Sequence, residues 1–356
     1  MTKRCQATAL QGGVNEFIKR FFFTLVLTLC AHVVCFAQDA ASKQIYALTT
    51  EVEQQLSTQK IGDDLRQQCT KDVSDARAYL KLNNPYLSLY TIRSCQIELA
   101  SQNFAASKSD LAKKGAEALE EEWRQLGSSL TEREKKISTQ GAKSLPAVVA
   151  AIADVSQIQV KQYYQSGRLF ALNGNMSEGI YYLGRAPANL DFAIFCRSLK
   201  FPEPKKPIEF RSPAPELTKL GTAALRTYKS ADVTTQQPQF NRLNSNLKIA
   251  EELNSASKFE AALLKYLESE LYFGLIISSA EKEDLEHLRG RSKELGKALT
   301  SNKTDNSIGV LFWEMAERAL NPVGADQPTP AQLKRAVVIL DRVLPSYADY
   351  MKGLQK

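Results

Sequence analysis

The sequence predicts an all-α protein: antiparallel helical hairpins, stacked as an irregular α-solenoid or bundle, in two blocks joined by a proline-rich strap. Three observations carry this. Apolar residues recur at the 3.6-residue period in nearly every long segment. The alternation of half-buried strands is almost absent. Between Phe201 and Glu216, five prolines (Pro202, Pro204, Pro207, Pro213 and Pro215) and Lys205-Lys206 form a stretch that cannot be helical and reads as an extended connection. The expected organisation is a leader over 1–37, a helical block over 38–200, the strap over 201–215 and a second block over 216–356.

The leader comes first. Lys19-Arg20 precede an apolar run from Phe21 to Ala37 that ends in Cys35-Phe36-Ala37, the small-large-small pattern of a signal-peptidase site, and polar Gln38-Asp39 follow. Cleavage after Ala37 and a secreted or periplasmic chain are expected. The run is too short for a membrane span of roughly 20 residues and has no basic cluster behind it. A lipid anchor is disfavoured by bulky Leu29 and Val34 ahead of Cys30 and Cys35. From Gln38 on, 319 residues remain, with 42 basic against 38 acidic side chains. That is an ordinary surface charge, not the basic face of a nucleic-acid binder. The composition, 44% apolar and 24% charged, is that of a globular chain.

Ala40–Gln59 is expected as a first helix, with Ile45, Leu48, Val52 and Leu56 on one side. In Ile61–Leu82 the stripe is Leu65, Cys69, Val73, Ala76 and Leu80; Asn83-Asn84-Pro85 then breaks and restarts the helix, and Leu89, Ile92, Cys95 and Leu99 follow in Pro85–Gln102. Folding these helices back about Asn83-Asn84 puts Cys69 and Cys95 on the shared seam, with heights about one helical turn apart. In an oxidising compartment the two form either a disulfide or a pair of reduced core thiols. Cys196, in Phe192-Ala-Ile-Phe-Cys196, reads as an inert core thiol.

A more polar helix is expected over Ala105–Leu126. Ser144-Leu-Pro146 opens an apolar helix that continues to Leu172, and Asn173-Gly174-Asn175 separates it from a helix over Met176–Leu199. Beyond the strap, helices are expected over Glu216–Lys229, Phe240–Leu253, Lys258–Ala280, Lys282–Leu299, Ile308–Leu320 and Ala331–Lys352. The last should kink or split at Pro345.

Two hairpins share a spacing. The first reads Tyr163, Gly167, Phe170, Gly174, Met176, Gly179, Leu183, Ala186 and the second Ile249, Ala250, Leu253, Ser257, Phe259, Ala262, Tyr266, Ser269; from the small residue (Gly167, Ala250) onward the offsets agree. Ala76, Tyr79, Asn83, Pro85, Ser88, Ile92 and Cys95 form a poorer third set. The pattern is similar to the tetratricopeptide repeat, whose small residues let two antiparallel helices approach while large ones fill between them. The resemblance covers about 80 of the 319 residues, and its two good sets stand far apart with no neighbouring copy, so a contiguous array is not expected. Any close-packed helical hairpin tends to the same alternation, and that reading stands beside the repeat family. The resemblance implies a concave surface that holds peptides or partner proteins without catalysis.

Familiar catalytic signatures are missing. After the leader only His287 remains among histidines, which excludes a His-based hydrolase with a separate His-rich metal site. Gly290-Arg-Ser-Lys-Glu-Leu-Gly296-Lys297-Ala298 departs from a phosphate loop in spacing, in its Ala and in lacking a preceding strand. Glu281, Glu283, Asp284 and Glu286 around His287 read as a solvated helix face, as does Glu120-Glu-Glu122. Tyr163, Tyr164, Tyr181 and Tyr182 are candidates to line a binding groove, and Tyr347 and Tyr350 fall near a predicted hairpin. The expectation is an exported, non-catalytic binding or scaffold protein with a protein or peptide partner and no cofactor, metal or nucleic acid. An envelope enzyme with a carboxylate pair and a structural envelope subunit are the alternatives.

Overall fold

The computed structural model describes residues 39–139, 145–202, 206–230, 233–278, 284–301 and 304–354. The leader and its cleavage point lie outside the described residues. Helices dominate: α1 (Ala40–Thr58), α2 (Asp63–Lys81), α3 (Pro85–Ser107), α4 (Leu111–Lys114), α5 (Ala116–Thr139), α6 (Ala147–Leu172) and α7 (Met176–Ser198) precede the strap. After it come α8 (Ala214–Ser230), α9 (Val233–Ser255), α10 (Phe259–Ile277), α11 (Leu285–Ser301), α12 (Ser307–Leu320), α13 (Pro330–Val338) and α14 (Leu344–Gly353). Among the described residues the only extended pairing is an isolated parallel bridge between Lys206 and Thr304.

Two expectations on helix limits shift: the helix expected over Phe240–Leu253 already begins at Val233, and the polar helix divides. The polar helix over 105–126 is divided, because α3 runs on to Ser107 and Gly115 separates α4 from α5. Gly115 has φ +89°, in the left-handed region that glycine occupies without steric cost. The last helix splits as expected. Pro345 has no N–H and its ring crowds the carbonyl four residues back, and the chain answers with a π-turn over Ile339–Val343.

Three hairpins, α2–α3, α6–α7 and α9–α10, turn in one way. Asn83 (φ 59°), Gly174 (φ 84°) and Ser257 (φ 57°) each adopt the left-handed conformation. The next residue then donates its N–H to the carbonyl five positions back: Asn84 to Tyr79 at 2.9 Å, Asn175 to Phe170 at 3.0 Å and Lys258 to Leu253 at 2.9 Å. This is the Schellman closure of a helix C-terminus, leading straight into the next helix. In α6–α7 the helices touch backbone to backbone. A Cβ on Gly167 would lie 2.9 Å from the Gly179 carbonyl oxygen and 2.8 Å from Leu183 Cγ.

The sulfurs of Cys69 and Cys95 lie at disulfide distance, with Cα atoms 5.4 Å apart, and both residues are buried on the α2–α3 seam. Cys196 is a buried free cysteine whose thiol is pushed up to about 12 by burial.

One continuous core takes side chains from both sides of the strap, from Ala41 to Tyr350. Two smaller clusters, around Leu130–Leu190 and Leu119–Leu183, lie under α5. The strap is docked. The Lys206 carbonyl accepts from Asp305 N–H at 3.1 Å, Phe210 packs against the core, and the Tyr350 hydroxyl both accepts from Arg211 N–H at 2.9 Å and donates to the Arg211 carbonyl. The second block also caps helices of the first. Asp305 Oδ2 accepts from Ala147 N–H at 2.7 Å, Ser307 Oγ from Val148 N–H at 3.0 Å, and Glu314 Oε2 from Leu87 N–H at 3.1 Å.

Two outcomes are expected. Of Cys69, Cys95 and Cys196, alkylation of the unfolded chain before reduction should label only Cys196, and replacing both Cys69 and Cys95 by Ser should lower the unfolding free energy by about 3 kcal/mol in urea titration. Gly167→Ala should cost about 1–3 kcal/mol in the same assay, because the new methyl meets backbone that cannot retreat.

Candidate functional site

The four candidate tyrosines fall on two faces of the α6–α7 hairpin. Tyr164 turns toward α5, where its ring stacks on Trp123 at 4.5 Å; its hydroxyl donates to the Trp123 carbonyl and Trp123 Nε1 donates to the Tyr164 carbonyl, both at 3.0 Å. Gly127 makes that approach possible, since a Cβ there would collide with the Tyr164 hydroxyl.

Tyr163, Tyr181 and Tyr182 gather on another face. Tyr182 stacks on Phe170 at 4.7 Å and lies 5.9 Å from Tyr163, while Tyr181 meets it edge-on. The Arg185 guanidinium sits over the Tyr163 ring at 4.6 Å, pairs with Glu98 at 3.1 Å and donates to the Tyr181 hydroxyl at 2.7 Å. Burial and the hydrogen bond to Glu98 hold the Tyr181 phenol well above its ordinary range. Tyr347 and Tyr350 are buried, the former donating to Asn306 Oδ1 at 3.2 Å and the latter holding the strap.

Of these, Tyr163 reaches a groove with a volume of about 880 Å³ between α6 and α9. Gln159, Gln162, Gln165 and Ser166 line it from α6, facing Ser245, Lys248, Glu252 and Ser255 of α9. Ile158, Ile249 and Leu169 supply apolar surface, and Leu169 is 60% exposed. Gln162 Nε2 donates to Glu252 across the groove. Gln159 accepts from Arg93 of α3, whose Nε also donates to Ser156 Oγ at 3.1 Å, so the groove floor is fixed to the neighbouring hairpin. Amides and hydroxyls in this arrangement both donate and accept, as a peptide main chain requires.

Under the floor lies a charged network that sequence reasoning missed. Lys265 Nζ donates to Glu268 at 2.6 Å and to Asn246 Oδ1 at 3.2 Å, and the Tyr90 hydroxyl donates to Glu268 at 3.0 Å. Lys265, Glu268 and Asn246 are all buried. Burial, offset in part by Glu268, lowers the Lys265 ammonium, and burial raises Tyr90 well above the phenol range. Such a pair is stable only because each partner is satisfied, and removing one leaves an uncompensated buried charge. The signal available in the sequence was three charged residues, Lys265, Glu268 and Glu270, inside a run from Ala261 to Ile277 that is apolar apart from them and Ser269.

Among the described residues no group of three His, Cys, Asp or Glu is placed to hold a metal ion, and no helix is long and apolar enough to cross a membrane. His287 is exposed on α11; Glu281 and Glu283 lie outside the described residues. The carboxyl with the largest displacement is Glu314, pushed up to about 8 by burial against the opposing pull of the Leu87 N–H. Its neighbourhood is a helix N-terminus, not a cleft. Comparison of the chain with protein-family models, curated proteins and solved structures finds no match.

The Glu314 shift has a pH signature. The folded state keeps this proton up to about pH 8, whereas the unfolded chain releases it near the ordinary glutamate value of 4.5. The folded state therefore binds more protons across that window, and its stability falls as pH rises through it. Glu314→Gln keeps an acceptor for Leu87 N–H and removes the ionisation. Urea midpoints measured from pH 5 to pH 9 should fall less steeply for this variant than for the parent.

Proposed function

We propose that the protein is an exported, non-catalytic helical binding protein that holds an extended segment of a protein partner in the α6–α9 groove. The observation that carries this reading is the groove lining itself: main-chain-competent amides and hydroxyls from two helices, flanked by Tyr163, Leu169 and Ile249 for side chains. The turn geometry common to three hairpins supports a scaffold of stacked αα-units, in keeping with the tetratricopeptide-like spacing. Export draws on the charged and apolar leader, and on a buried cysteine pair that suits an oxidising compartment. The groove acids do not favour acid–base chemistry. Glu251 and Glu252 are adjacent on one helix, and Glu252 is engaged by Gln162.

Lys161 and Lys248 stand on the groove walls and are exposed, which makes them reporters. Amine-reactive cross-linking of the chain in its native exported fraction should join partner peptides to these two lysines. Ser245→Arg, a bulky cation on an exposed wall position, should reduce capture at least about tenfold while leaving the melting midpoint unchanged. Links confined to other faces, together with undiminished capture by the variant, would sink the proposal.

A further inference from the structure

We infer that the chain has a second site, separate from the groove: an apolar cleft beneath the strap that binds a single saturated fatty acid. The cleft has a volume of about 520 Å³ and lies between α11, α14 and strap residues Pro207 and Ile208. Leu344, Tyr347 and Met351 form one apolar stripe of α14, continued by Leu354 just past its end, and Leu295 and Leu299 of α11 also line the cleft. The volume falls within the range of small-molecule sites.

The walls are preformed. The strap is pinned at one end by Asp305 N–H on the Lys206 carbonyl, at 3.1 Å, and at the other by Tyr350 on Arg211. Tyr347 is fixed by its hydrogen bond to Asn306 and by Gly309, where a Cβ would come within 2.6 Å of the ring.

Two features select the occupant. The side chains of Leu295, Leu299, Leu344, Met351 and Leu354 offer no hydrogen-bond partner to the amides of an extended peptide, whereas an alkyl chain has none to satisfy; Thr304 and Asn306 also line the cleft. The rim holds two lysines, Lys206 and Lys352, against one acid, Glu209, which favours an anionic head. Lys352 pairs with Asp349 at 3.2 Å, but both side chains are about three-quarters exposed (74% and 77%), so the pair is weak and the ammonium is available to a ligand. The α14 stripe from Leu344 to Leu354 rises about 15 Å, the reach of a chain of about a dozen carbons.

Calorimetric titration of the full mature chain with sodium dodecanoate, below its micellar concentration, tests this. One site per chain is expected, with dodecanol binding at least about tenfold more weakly and butanoate not detectably. Ala298 and Ala348 line the cleft from exposed positions. A298W and A348W should abolish binding with unchanged melting midpoints, and K206E/K352E should weaken it about tenfold or more. Absence of saturable binding, dodecanol binding as tightly as dodecanoate, or undiminished binding by both tryptophan variants would overturn the proposal. None of these substitutions touches α6 or α9, so the peptide groove can fail or stand on its own test.

Discussion

The structure depends on the capping of two buried helix N-termini by side chains from the far end of the chain. The first turn of α6 is enclosed: Ala147, Val148 and Val149 are all buried. A helix leaves its first N–H groups without partners inside itself, and water cannot reach these. Asp305 and Ser307 accept from Ala147 and Val148, and Glu314 accepts from Leu87 at the start of α3. Carboxylates also suit the positive end of the helix dipole, although Glu314 meets Leu87 largely as a neutral acid at ordinary pH. Because α6 packs along α7 and α3 carries the disulfide, losing these caps would loosen both hairpins at once.

Around this frame the hairpins are set by small residues. Gly167 and Gly179 bring α6 and α7 to backbone contact, and Ala250 and Ala262 are fully buried in α9–α10. The close approach positions Tyr163 beside Tyr182 and Arg185, and it fixes the α6 face that lines the groove. Arg93, reaching from α3 to Ser156 and Gln159, prevents that face from rotating. Rigidity of this kind lowers the ordering cost of binding.

What could be read from the sequence was local. The helix period, the break at Asn83-Asn84-Pro85, the seam that joins Cys69 to Cys95 and the disruption at Pro345 each arise from residues close together in the chain or from a single reflection about a turn. The expected polar helix over 105–126 failed at Gly115, a glycine whose need for a left-handed φ leaves no mark in a hydrophobic pattern. The groove was only partly legible. Tyr163 was singled out, but its amide and hydroxyl neighbours on α6 and α9 have no periodic signature and meet only in space. The same holds for Tyr90–Glu268, joined across 178 residues, and for Arg211–Tyr350, joined across 139.

The capping contacts also impose an order in time. They span 158, 159 and 227 residues, so the start of α3 and the start of α6 stay unfinished until residues 305–314 have been synthesised and delivered. Loop closure over such lengths comes late and slows folding. The first half of the chain thus remains unable to lock into its final form while the rest is still arriving. On the proposed export route, that delay would keep the chain in a state that can still be threaded through a narrow channel.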